Sequence, residues 1–154
     1  MTQTHTVPLD TPIELPDPAD TEALGEQLAA GLGAGDLIVL AGPLGAGKTV
    51  FVRGLARGLG VTGAVTSPTF VIAREHRPGP DGAGVPLVHV DAYRLGGAAE
   101  LDDLDLDTDL DAAVVAVEWG EGVAERLAQQ HLLVRLERRP DDVRVATVSR
   151  MASR

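Results

Sequence analysis

The 154-residue sequence predicts an α/β protein: a three-layer fold with a mixed, partly parallel sheet and antiparallel strands at its margins. Three observations carry that expectation. Two short, wholly apolar runs, Leu37-Ile38-Val39-Leu40-Ala41 and Ala113 to Val117, have the composition of strands buried on both faces. Amphipathic helical patterns stand before and after the first of them. Pairs of strand-like runs joined by turn residues follow later in the chain, so helices and antiparallel pairs share one sheet.

Taken in order, Met1 to Thr6 reads as a loose terminus, and Val7 to Leu15, broken by prolines, can form at most an edge strand. Asp17-Pro18 supplies a helix cap and first helical position, with Asp20 favourable in the first turn. Leu24, Leu28 and Leu32 give this helix one apolar stripe, and Gly31, Gly33 and Gly35 end it. After the apolar run 37–41, a second helix begins at Lys48, with Val52, Leu55, Ala56 and Leu59 on one face and Gly60 placed to cap it. Thr69 to His76 and Leu87 to Tyr93 form a hairpin around a loop of turn residues, 77–86, expected to be mobile. An acidic stretch from Glu100 to Asp111, the strand 113–117 and a short helix over Gly122 to Gln129 come next. The last two strands, Leu132 to Glu137 and Val143 to Ser149, turn at Pro140-Asp141.

Composition narrows the function classes. Apolar residues make up 44% and charged residues 23%, ordinary globular usage, and the length fits a single domain over 1–154. Net charge is −10, which repels phosphate backbones, so any role with nucleic acid is expected to be indirect. No cysteine is present, which excludes disulfides and thiolate zinc sites. The first 20 residues lack a basic start and an apolar core, and no apolar run is long enough to span a membrane. A cytoplasmic location is the default expectation.

The motif with chemistry in it is Gly42-Pro-Leu-Gly-Ala-Gly47-Lys48-Thr49, which matches G-x-x-x-x-G-K-[ST] between a buried strand and an amphipathic helix. Glycines let backbone N–H groups turn inward around a β-phosphate, and the helix beginning there points its positive end at the same anion. Lys48 adds a full charge against the β- and γ-phosphates, and the Thr49 hydroxyl is placed to ligate magnesium. The nucleotide contacts are therefore expected at Gly42, Leu44, Gly45, Ala46, Gly47, Lys48, Thr49 and Val50. A composition-matched shuffle produces the eight-residue pattern in roughly one chain in a thousand. Lys48 is also the only lysine beside twelve arginines, which suggests that the compact ammonium is needed.

Such a cradle needs a further metal partner and a group that positions the attacking water. Asp91 ends the run Leu87 to Val90, and Glu118 ends the run Val114 to Val117. In an α/β sheet the carboxyl ends of strands border the ligand crevice, so either acid could hold magnesium while the other polarises water. All four aromatics neighbour a motif: Phe51, Phe70, Tyr93 and Trp119. Phe51 and Phe70 read as core, whereas the Trp119 indole could pack against nucleotide. Asp103, Asp105 and Asp107 imitate a calcium loop but lack its glycine and its final glutamate. The four histidines have no metal-ligand spacing, and His89 reads simply as a strand residue near the site. Arg135, Arg138 and Arg139 read as a salt-bridged surface. With no asparagine in the chain, an N-K-x-D guanine-reading motif cannot exist, so adenine is the better base.

G-P-L-G-A-G-K-T, S-P-T-F, H-V-D-A-Y-R-L and V-E-W, in that order, resemble the bacterial TsaE family of tRNA threonylcarbamoyladenosine biosynthesis ATPases, from about Thr21 through Leu127. The resemblance implies a P-loop NTPase fold and a magnesium-dependent ATPase. It also implies work with TsaD and TsaB to modify tRNAs reading codons that begin with A, touching the tRNA itself only indirectly. It assigns Thr49 and Glu118 to magnesium and Asp91 to catalysis near the γ-phosphate, with Lys48 completing the catalytic set. Ser67 to Thr69 become a switch-like segment, with Thr69 meeting the nucleotide. Trp119 and Tyr93-Arg94 line the site or meet partners. Two other readings share the same loop: a small-molecule kinase with Asp91 as base, and a nucleotide-gated binding module.

Overall fold

The computed structural model describes residues 7–42, 47–61, 73–76, 85–91, 113–118 and 130–152, with the backbone alone at 73–76, 91 and 152. Its elements are β1 (Ile13–Leu15), α1 (Pro18–Ala29), β2 (Leu37–Ala41), α2 (Lys48–Leu59), β3 (Ala73–His76), β4 (Leu87–Asp91), β5 (Val114–Glu118), β6 (Gln130–Arg138) and β7 (Arg144–Ala152). The seven strands form one sheet in the order β1-β7-β6-β2-β5-β4-β3. β6, β2, β5 and β4 run parallel, while β3, β7 and β1 join antiparallel at the two margins. The mixed α/β architecture expected from the sequence is the one found.

β2 sits inside the sheet because every residue in it is apolar, so both faces can be covered. Ile38 and Leu40 join Val114, Ala116, Leu132, Val134 and Leu136 in one core with Leu24 and Leu28 of α1 and Phe51, Leu55 and Leu59 of α2. The alternate residues Leu37, Val39, Val115 and Val117 are equally buried on the opposite face. Each such side chain contributes about 1.5–3 kcal/mol when fully withdrawn from water. The short helix expected over 122–129, the acidic stretch 100–111 and the 77–84 part of the hairpin loop lie outside the described residues.

Several boundaries differ from the sequence expectation. β5 runs one residue further than its apolar pattern and takes Glu118 into the strand; β6 and β7 are both longer than their apolar cores, because each pairs with the other along its whole nine-residue length. At the other end, β1 keeps only three residues of the proline-broken segment, and β3 is described only from Ala73. α1 begins as expected, with Pro18 first in the helix and the Asp20 carboxylate accepting from the Asp17 N–H at 3.0 Å. Leu32 falls beyond the helix and is half-buried. The turn after β6 holds its arginines in ion pairs: Arg138 with Asp142, and Arg139 with Asp141 and Glu14. The hydrogen bonds from Arg139 hold the Asp141 carboxyl below its ordinary value.

α1 and α2 meet backbone to backbone. A Cβ on Gly54 would lie 1.8 Å from the Glu22 carbonyl oxygen, and one on Gly25 2.2 Å from that of Phe51, so no side chain fits at either place. Arg57 and Glu22 add an ion pair at the edge of this contact. Gly54→Ala must push the helices apart and is expected to cost more than about 2 kcal/mol in urea unfolding. Gly33→Ala, whose added methyl meets nothing within 4 Å, is expected to stay within about 1 kcal/mol of the parent.

Candidate functional site

β2 runs directly into the glycine loop, and the loop's two ends carry the conformations that only glycine takes without strain: φ is 146° at Gly42 and 101° at Gly47. Gly47 is the N-cap of α2 and offers no side-chain cap, and the first turn of any helix carries N–H groups that have no acceptor within the helix. The intervening positions, with the candidate ligands Leu44, Gly45 and Ala46, lie outside the described residues.

Lys48 opens α2 and is 5% exposed. Its Nζ donates to the Gly42 carbonyl oxygen at 2.5 Å. The ammonium is therefore held at the start of the loop whose far end it follows, so it spans the loop's mouth. Thr49 and Val50, on the same first turn, are both half-buried.

The acids come to this edge through strand register. Glu118 ends β5 beside Leu40 of β2, two residues before Gly42, and beside Asp91 at the end of β4. Lys48, Thr49, Glu118 and the Asp91 backbone thus belong to one edge of the sheet, the edge where the parallel strands terminate. The Asp91 side chain lies outside the described residues, as do Thr69, the rest of Ser67 to Thr69, Tyr93-Arg94 and Trp119.

Glu118 is only 4% exposed, and its Oε2 lies 2.5 Å from Nε2 of His89, which is wholly buried on β4. The sequence marked His89 as a plain strand residue; nothing in its spacing announced a bond to an acid 29 positions later. A burial this complete requires that the pair satisfy each other.

A recess beside the glycine loop's closing end was not legible in the sequence. Leu15, Pro16, Asp17, Pro18, Thr21, Gly47, Val50 and Arg144 line a small open recess against the start of α2. Its walls come from the segment between β1 and α1, from α1 itself and from β7. Only the folded chain assembles them.

The His89–Glu118 bond makes a prediction about stability that needs no ligand. Glu118→Gln keeps an acceptor for the imidazole N–H and should change the urea unfolding free energy by less than about 1 kcal/mol, whereas Glu118→Leu orphans that donor and should cost about 1–3 kcal/mol more.

Known proteins resemble this chain along most of its length. The family model described as threonylcarbamoyl adenosine biosynthesis protein TsaE matches residues 15–146. The chain is 57% identical over 142 residues to the tRNA threonylcarbamoyladenosine biosynthesis protein TsaE of Mycobacterium bovis, covering 88% of this chain and 84% of that one. It is 56% identical over 137 residues to the protein of the same name from Streptomyces coelicolor (85% and 90%), and 40% over 139 residues to that of Bacillus subtilis (90% and 84%). Among solved structures, the crystal structure of Bacillus subtilis YdiB superposes with a TM-score of 0.72 at 34% identity, covering 93% of this chain and 86% of that one. With its strand, loop and helix in the order the motif requires and its family match running over most of its length, the chain belongs to the TsaE family of threonylcarbamoyl adenosine biosynthesis proteins.

Proposed function

We propose that the chain binds ATP with magnesium at the carboxyl edge of β2, β4 and β5, hydrolyses it, and serves with TsaD and TsaB in threonylcarbamoyladenosine modification of tRNAs reading codons that begin with A. The observation that carries this reading is the stretch from Gly42 to Gly47, set between a fully buried strand and an amphipathic helix, with Lys48 bonded back to the Gly42 carbonyl.

In this reading the ammonium of Lys48 moves from the Gly42 carbonyl to the β- and γ-phosphates, exchanging a neutral acceptor for a charged one and so forming a stronger bond. The first-turn N–H groups of α2 bond the same phosphates. Thr49 and Glu118 would hold the magnesium, a hydroxyl and a carboxylate being the hard oxygen donors that this ion selects. Bound there, the ion would neutralise charge building on the phosphate oxygens as the terminal bond breaks. Asp91 would orient the attacking water and accept its proton. The recess against Gly47 and Val50 adjoins the loop and has apolar walls for a base with polar groups from Thr21 and Arg144 beside them. The net charge of −10 fits a subunit that reaches tRNA through other proteins.

Phosphate release measured with and without TsaD and TsaB tests the activity. Turnover should be slow alone and rise when both are added. Unchanged turnover counts against the partners, and a phosphorylated acceptor in place of free phosphate points to a kinase. Binding is tested by thermal shift. Mg-ATP at about 100 times its dissociation constant stabilises by about 2.7 kcal/mol, about 5–10 °C of Tm at this chain length. Lys48→Ala should retain a cooperative transition and lose most of that shift; a shift that persists undiminished rejects the assignment of Lys48.

A further inference from the structure

We infer that His89 is a positioning residue for Glu118, holding the carboxylate in the one orientation that lets its second oxygen meet the cation. The inference rests on the reading of Glu118 as a magnesium-holding acid and adds a residue that this reading does not contain.

His89 occupies the middle of β4, in Leu87-Val88-His89-Val90-Asp91, where its immediate neighbours on the strand are aliphatic and its own side chain is wholly buried. An imidazole there costs desolvation that a leucine would not, so it persists only with a satisfied bond. Strand register explains how the bond is reached. The residue opposite His89 on β5 is Ala116, and Glu118 stands two residues further along the same face. The alanine side chain is short, so the imidazole can lean across it toward the sheet's carboxyl edge. Two elements therefore meet diagonally, with Nε2 of His89 2.5 Å from Oε2 of Glu118.

The bond has a direction. Nδ1 of His89 is buried and has no hydrogen-bond partner among the described residues. A proton on Nδ1 would bury an orphan donor, whereas a proton on Nε2 is accepted by the carboxylate. His89 thus donates from Nε2 and Glu118 accepts through Oε2. That takes one carboxylate oxygen and leaves Oε1 to ligate. A glutamate has three rotatable side-chain bonds, and a donor rising from the adjacent strand removes that freedom before any cation arrives. The backbone ladder between β4 and β5 already joins the strands from Leu87 to Asp91 without help from this side-chain bond.

Manganese binding to the complex of the full chain with ADP, followed by electron paramagnetic resonance, tests the inference with two amide substitutions. The longer amide of H89Q carries its nitrogen where imidazole Nε2 lies, and the shorter amide of H89N carries it where Nδ1 lies. H89Q should keep the Mn²⁺ affinity within about threefold of the parent, while H89N should lose about tenfold or more. ADP affinity in EDTA should change little in either. In an E118A background, H89N should have no further effect on Mn²⁺. Nitrogen-15 shifts of the imidazole should report the Nε2–H tautomer. Parent-like Mn²⁺ affinity in H89N, an equal loss in the E118A background, or a proton on Nδ1 overturns the inference while the nucleotide site stands. Absence of any Mn²⁺ binding by the parent with ADP overturns the nucleotide reading and this inference together.

Discussion

The parallel register of β4, β5, β2 and β6 is the constraint on which the site depends. Parallel neighbours end at a common edge, so residues that close separate apolar runs are delivered to one place without any contact having to select them. Register brings the end of β5 beside Leu40 and the end of β4 beside the end of β5. A shift of one residue in either pairing would turn Glu118 to the opposite face and leave its carboxylate away from both His89 and α2. The wholly apolar strands forbid that shift less by pattern than by partners, since each strand is buried on both faces and flanked on both sides.

The helices answer a different need. An exposed glycine loop would sample many conformations, and its closing end is fixed by the helix that follows. α2 is anchored by Phe51, Val52, Leu55 and Leu59 against the sheet and by α1 at backbone contact. The close approach requires glycine at positions where helix propensity alone would favour almost any other residue, at about 1 kcal/mol each relative to alanine. That intrinsic loss is offset by the packing it allows, and the result is a helix whose first turn does not wander. Thr21, on the first turns of α1, is carried by the same contact to the side of Gly47.

Burial also decides how the polar and charged groups at this edge behave. Lys48, Glu118 and His89 are each nearly or wholly hidden from water. Inside a medium of low effective dielectric, hydrogen bonds of charged groups are stronger and their loss more costly than at the surface. The arginine and aspartate pairs of the β6–β7 turn contrast with this. They are shorter in sequence separation and equally well formed, yet solvent screens them and they tie down a turn more than a fold.

Sequence by itself determined the class of fold, the glycine-loop motif with Lys48 and Thr49, the two helices among the described residues and the central strand. These are local: apolar period, caps and glycine spacing act within a few residues and can be read in order. The two acids could be named as strand ends for the same reason. What only the tertiary structure decided is everything that joins distant segments. His89 bonds Glu118 because β4 and β5 are parallel neighbours in one particular register with alanine between them; the recess beside Gly47 exists because β1, α1 and β7 converge there. Neither leaves a mark in the chain, since the geometry that creates each is set by the packing of elements far apart in sequence.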